Sequence, residues 1–323
     1  MERLVTADIG GTHARFAIAS IEHGQIIGID DQTVFKTADF VSFERAWNAF
    51  EDRVGSKLPS DLSLAVAAPV AGDDFSLTNS HWQFRRAHIV SSLRLNSMLV
   101  INDFAAIAHA VSVVEETHLL HLAGPSEPLP ASGVITIVGP GTGLGAALLI
   151  RGENEPHRVI ETEGGHIDFA PLDDLEQSIL IELRTKFGRV SAERLVSGPG
   201  LLNIYQVLGK LEGQPIPIHS EPALWTLALE QSDHLADIAL DQLCMCLGAV
   251  AGDLALAHGA SGVVIAGGIG RRLAGRLGSS GFAKRFVAKG RFERRLAAVP
   301  VKLLTLPEPG LLGAAVAFAT RQL

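Results

Sequence analysis

"LVTADIGGTHARFAI", residues 4–18, is the stretch from which the fold is read. Two apolar runs flank Gly10-Gly11-Thr12, and one carboxylate, Asp8, stands at the mouth of the turn. Asp is a common turn residue and glycine supplies positive φ cheaply, so a tight turn accounts for part of the pattern. It does not account for an acid inside an apolar run. The pattern predicts strands over 3–9, 14–20 and 25–35, the last two joined at Glu22-His23-Gly24.

Further along, "SFERAWNAFEDRVG" (42–55) spaces Phe43, Trp47, Phe50 and Val54 as one face of a helix. "LSLAVAAPV" (62–70) is a continuous apolar run, the pattern of a strand buried on both faces. "SMLVINDFAAIAHAVSVV" (97–114) passes from strand to helix at Asn102-Asp103. The plan then restarts: "GVITIVG" (133–139), a glycine turn, "LGAALLI" (144–150) and "HRVIETEGG" (157–165) read as strands. Helices are expected over 173–187, 191–197, 200–211, 221–230 and 233–258, with buried strands at 262–269 and 301–306. The apolar segment "GLLGAAVAFAT" (310–320) is expected to return as a helix to the first half. Two domains follow, 1–110 plus 307–323 and 111–306, each opening on strand, glycine turn, strand, and expected to face each other across a cleft.

Composition limits the function classes. The 323 residues are 47% hydrophobic and 19% charged, enough for a large core. A net charge of −8 without a basic stripe argues against nucleic acid. Cys244 and Cys246 are two apart on an apolar helix and lack companions at zinc or redox spacing, so they read as small core residues. A reducing cytoplasm is the expected setting. No secretory leader is read, because an acid-bearing strand opens the sequence. Residues 133–150 lack charge over eighteen positions, but five glycines and a proline prevent a single membrane-spanning helix.

Within "GPGTGLGAALL" (139–149), "GTGLGA" fits the dinucleotide fingerprint, and Glu161 or Glu163 follows at about the fitting distance. That fingerprint needs a helix after the glycines, and the apolar run is too short for a crossover. A hairpin is expected instead. Its Gly141-Thr142-Gly143 tip and the Gly10-Gly11-Thr12 turn can each cradle phosphate with backbone N–H groups. Asp8 beside phosphate requires a cation, so Asp8 is expected to hold Mg²⁺, directly or through water. The third glycine turn, Gly267-Gly268 in "VVIAGGIG" (263–270), suits close approach of a nucleotide base or ribose.

With "ADIGGTHAR", "VINDFAAIAHA", "GPGTGLGAALL", "ETEGGHIDFAP", "RVSAERLVSGPGLLNIY", "VVIAGGIG" and "PGLLGAA" on the page, the chain resembles the bacterial glucokinases. These belong to the hexokinase–actin ATPase class, and the resemblance spans essentially all 323 residues. ROK kinases share the first glycine turn but usually carry a cysteine zinc motif. "GGHIDFAPLDD" (164–174) has no cysteine, so the zinc-free branch is the better match. ROK repressors carry an N-terminal DNA-binding extension, for which the position of Asp8 leaves no room.

The resemblance implies two actin-like (ribonuclease H-like) α/β domains, ATP and Mg²⁺ as cofactors, and a cytoplasmic homodimer active in glycolysis, with no membrane partner. It implies phosphorylation of glucose at O6 with Asp103 as general base and Asn102 as a sugar ligand. Without it, Asn102 and Asp103 read as helix caps, Asp being a preferred N-cap. It implies sugar-hydroxyl contacts for Glu163 and His166, whose intervening glycines would let the backbone approach the ring. It adds Glu193, otherwise a favourable acid in the first turn of a short helix capped by Ser191, directed toward the anomeric hydroxyl. Asn79, in "SLTNSHW" (76–82), is a further candidate behind the sugar ligands. Another hexose (fructose, mannose or an N-acetyl amino sugar), a polyphosphate donor and a non-catalytic sensor stay open.

Overall fold

The computed structural model describes residues 1–68, 70, 72–76, 82–153 and 155–321. Asn79 lies outside them. The chain divides into two compact units, residues 1–114 with 306–323, and residues 115–305.

The first unit is built on strands β1 (Glu2–Ile9), β2 (His13–Glu22), β3 (Gln25–Lys36), β4 (Asp61–Val66) and, after a small hairpin of β5 (Asp74–Ser76) and β6 (Gln83–Arg85), β7 (Ser97–Asn102). Helices α1 (Phe43–Val54), α2 (Arg86–Ser92) and α3 (Asp103–Val113) accompany them. The sheet order is β3-β2-β1-β4-β7. The first three strands are antiparallel, whereas β1, β4 and β7 are parallel. Ile9 pairs with Val66 and Val66 with Asn102, so the carboxyl ends of the parallel strands are level. The expected strand over 62–70 ends at Val66. The predicted face of α1 is the buried one: Phe16, Phe43 and Phe50 form one aromatic cluster under the sheet.

On the other face lies the C-terminal helix, Pro309–Thr320. The Oγ1 hydroxyl of Thr6 donates to the Leu311 carbonyl at 2.7 Å, and Ser63 Oγ to the Ala314 carbonyl at 2.6 Å. These bonds satisfy buried hydroxyls of β1 and β4 against the helix backbone. Gly313 is required by packing, since a Cβ there would lie 1.6 Å from the Ala106 carbonyl oxygen on α3.

The second unit carries β8 (Leu119–Ala123), β9 (Gly133–Pro140), β10 (Leu144–Arg151), β11 (Arg158–Thr162), β12 (Gly262–Ile265) and β13 (Val301–Leu304), in the order β11-β10-β9-β12-β13-β8. Its helices are α4 (Asp174–Phe187), α5 (Gly198–Leu211), α6 (Glu221–Leu229), α7 (His234–His258), α8 (Gly267–Arg272), α9 (Ala274–Leu277), α10 (Phe282–Val287) and α11 (Glu293–Ala297). β9 and β10 pair antiparallel from Gly133↔Arg151 to Pro140↔Leu144, so the hairpin expectation holds and the dinucleotide crossover is excluded. Helix α7 is long and apolar enough to cross a membrane, but most of it is buried in this unit's core, with Cys244 and Cys246. Burial pushes the Cys244 thiol up to about 12 and that of Cys246 higher still, which leaves both inert.

Two expectations fail here. The run 262–269 is not one strand: β12 stops at Ile265 and α8 begins at Gly267. The break is forced at Gly267, which has φ +80°, and whose Cβ would meet the Pro140 carbonyl oxygen at 2.6 Å. Nor is 191–197 a helix. Only Ala192–Arg194 forms a 3-10 turn, and the Ser191 side chain makes no capping bond to it. Ser197 instead caps α5, accepting from Gly200 N at 3.1 Å.

Candidate active site

In the first unit the candidate residues gather at the level carboxyl ends of β1, β4 and β7. Asp8 is the penultimate residue of β1 and pairs across the ladder with Arg15 of β2. Arg15 Nη1 lies 3.7 Å from Asp8 Oδ2, while Arg15 Nε contacts Glu308. Gly310 lets the C-terminal helix abut the acid, because a Cβ there would lie 2.7 Å from Asp8 Cγ. Burial pushes the Asp8 carboxyl up to about 6; Arg15 pulls against the shift and Glu308 adds to it.

The glycine turn follows. Gly10 N donates to the His13 carbonyl at 2.9 Å. Thr37, which sequence reading passes over, braces the turn: its hydroxyl donates to the Gly10 carbonyl at 3.1 Å and its N–H to the Thr12 carbonyl at 3.0 Å. A Cβ on Gly10 would meet only the His13 carbonyl oxygen, at 3.8 Å, an ordinary contact. Folding therefore does not demand glycine at position 10.

Asn102 ends β7 and caps α3, its Oδ1 accepting from Phe104 N at 2.8 Å and Ala105 N at 3.3 Å. The capping expectation thus belongs to Asn102 rather than Asp103. Asp103 is the first helical residue, and its Oδ1 accepts from Phe104 N at 2.9 Å. Both carboxylate and amide are half-buried at the strand end.

In the second unit, Leu144 gathers three of the predicted segments. Its N–H donates to Glu193 Oε2 at 3.0 Å. Its carbonyl oxygen would lie 1.8 Å from a Cβ on Gly165, so the 3-10 turn Gly164–His166 packs directly on the start of β10. The glycine at 165 is thus a packing requirement, a correction to the reading that both glycines serve an approaching ring. Glu163 and His166 are exposed, with His166 Nε2 3.9 Å from Glu163 Oε2. Ala192 N donates to the Ile167 carbonyl at 2.8 Å, which ties this turn to the segment bearing Glu193.

The hairpin tip is fixed from within and from α5. Gly141 N donates to the Gly143 carbonyl, and Gly198 N to the Gly141 carbonyl, both at 2.8 Å. At the tip and the neighbouring turn the glycines divide. A Cβ on Gly141 or Gly268 meets nothing within 4 Å, whereas one on Gly143 would meet Glu193 Oε2 at 2.4 Å. Gly267 is consumed by its contact with Pro140. Thr142 is exposed at the tip.

A glucokinase family model matches residues 5–321. The chain belongs to the glucokinase family. A glucokinase of Zymomonas mobilis is 53% identical over 318 residues, 98% of each chain. One of Paramagnetospirillum magneticum is 38% identical over 97% of each chain. The crystal structure of glucokinase from an Antarctic psychrotroph superposes with a TM-score of 0.85 at 36% identity, covering 99% of both chains. A ROK family glucokinase from Streptomyces griseus, in complex with glucose and AMPPNP, shares the fold at a TM-score of 0.64 and 20% identity.

Proposed function

We propose that the chain transfers the γ-phosphoryl group of ATP to O6 of glucose, with Asp103 as general base. Membership of the glucokinase family carries the reaction class. The observation that supports the residue roles is the level alignment of Ile9, Val66 and Asn102, which puts Asp8 and Asn102-Asp103 at one edge of one sheet. Ligands of open α/β sheets bind outside the carboxyl ends of their parallel strands.

In this proposal Asn102, Glu163, His166 and Glu193 bind sugar hydroxyls, and the Asp103 carboxylate accepts the proton of the 6-hydroxyl as that oxygen attacks phosphorus. Gly10, Gly11 and Thr12, with Gly141 and Thr142 at the hairpin tip, flank the phosphates, and Gly267-Gly268 the nucleoside. The open space at Gly10, Gly141 and Gly268 supports these roles, because glycine there is not required by packing.

Among the described residues no group of three or more His, Cys, Asp or Glu could hold a metal. The Asp8 carboxylate, with Arg15 and Glu308 beside it, still fits Mg²⁺, which keeps several waters and takes phosphate oxygens as its other ligands. Asp8 would hold it, directly or through water, and the ion would neutralise charge developing on the phosphates. The family resemblance also supports a homodimer working in the cytoplasm, in glycolysis.

Asp8→Asn separates binding chemistry from stability. An acid with a raised native pKa loses stability as pH rises from its unfolded value of 3.8 to about 6, and the loss persists above that. Removing the charge is therefore expected to stabilise the chain by about 1–3 kcal/mol at pH 7.5, and to leave it unchanged near pH 3.5. Thermal melts at both pH values check this. MgATP turnover is expected to fall in the same variant.

The proposal as a whole is tested by ADP formation with MgATP across glucose, fructose, mannose and N-acetylglucosamine. Glucose should give the highest kcat/KM. Equal or better turnover of another hexose would reassign the substrate, and none with any sugar would favour a sensor.

A further inference from the structure

Gly143 lies in the turn whose Gly141 and Thr142 the proposal above assigns to phosphate, yet its surroundings differ from those of Gly141. The space its absent Cβ would fill is taken by the Glu193 carboxylate: Oε2 at 2.4 Å, Cδ at 3.3 Å and Cγ at 4.0 Å. The adjacent Leu144 N–H, which a phosphate nest would aim at its anion, is already donated to that same Oε2 at 3.0 Å. One edge of the tip is thus occupied by a side chain of the protein, and the other, at Gly141, is open.

We infer that Gly143 and the Leu144 N–H position Glu193, so that this turn glycine sets glucose affinity rather than phosphate approach. The inference rests on the proposed role of Glu193 as a sugar ligand. With one carboxylate oxygen engaged by Leu144, the other is left for substrate. A methyl group at 143 removes the room that this arrangement needs. The backbone at 143 has an ordinary φ, and the clash is with the far end of a flexible side chain, so the fold yields by turning Glu193 away. The cost falls mainly on the bond Glu193 makes to substrate, with the bond from Leu144 N–H weakened alongside it.

The experiment is a double-mutant cycle read as KM for glucose and for ATP, with thermal midpoints alongside. Gly143→Ala should leave the midpoint nearly unchanged, raise the glucose KM ~10-fold, the usual loss for one buried polar contact to substrate, and leave the ATP KM within about twofold. Gly141→Ala should not move the glucose KM. Glu193→Ala should raise the glucose KM at least as much as Gly143→Ala, and adding Gly143→Ala to it should have no further effect. A raised ATP KM with unchanged glucose KM in Gly143→Ala would overturn the inference, as would additive effects in the cycle. If Glu193→Ala alone leaves the glucose KM unchanged, the sugar-ligand assignment itself fails and the inference with it. Additivity on top of a large Glu193→Ala effect removes the inference alone.

Discussion

Asp103→Asn is expected to lower kcat with glucose and MgATP by ~10²–10⁴-fold, while the thermal midpoint and the glucose Kd change little. The amide keeps the size of the carboxylate and can still accept the bond from Phe104 N that Asp103 Oδ1 now receives at 2.9 Å. Helix α3 does not depend on the carboxylate for its cap, because Asn102 Oδ1 holds both Phe104 N and Ala105 N. What the amide cannot do is take up a proton. The transition state of phosphoryl transfer is loose, so positioning accounts for part of the effect and the lower end of the range is the minimum expected. Steady-state kinetics together with glucose binding by calorimetry check this. Normal turnover in a folded variant would remove Asp103 from the mechanism, and an unfolded variant would mean that it serves the fold.

The largest expected loss of stability comes from a pair with no catalytic part. Glu176 of α4 and Arg285 of α10 are both buried and meet in a bidentate pair, Nη2 to Oε2 at 2.8 Å and Nε to Oε1 at 3.1 Å. The remaining capacity of the carboxylate is filled by Leu172 N at 2.6 Å and Gln242 Nε2 at 3.4 Å. Arg285 Nη2 also reaches the Ala170 carbonyl at 3.4 Å. Glu176→Ala strands a buried guanidinium and leaves Leu172 N without its acceptor. The expected cost is about 3–5 kcal/mol, read as a lowered denaturation midpoint. Replacing both members together, Glu176→Leu with Arg285→Met, should recover most of that loss, since no uncompensated charge then remains. If the single variant costs under about 1 kcal/mol, the pair is energetically no more than a surface ion pair.

This pair also marks where sequence reading stopped. Glu176 and Arg285 are 109 positions apart, and no element is read from the sequence in the segment that carries Arg285. Glu193 and Leu144 meet across 49 positions through a backbone N–H, which no side-chain pattern announces. By contrast, the β9–β10 hairpin was legible because a seven-residue apolar run is too short to cross over. The strand-to-helix step at Asn102-Asp103 was legible from its capping chemistry, although of the two expected caps only Asn102 is the N-cap. The break at Gly267 was hidden because "VVIAGGI" stays apolar throughout, and periodicity cannot separate a buried strand from the helix that continues it. What forces the break is a contact with Pro140, visible only once β9 and β12 lie side by side.

The central claim is that O6 of glucose takes the γ-phosphoryl group of ATP while Asp103, the first residue after β7, accepts its proton. Its most direct test is the identity of the product formed from glucose and MgATP, resolved by phosphorus–proton correlated NMR on the reaction mixture. The account predicts glucose 6-phosphate and ADP in equal amounts, with the phosphorus coupled to the two C6 protons. Phosphorus coupled instead to the anomeric proton, or ADP released without any sugar phosphate, would contradict it.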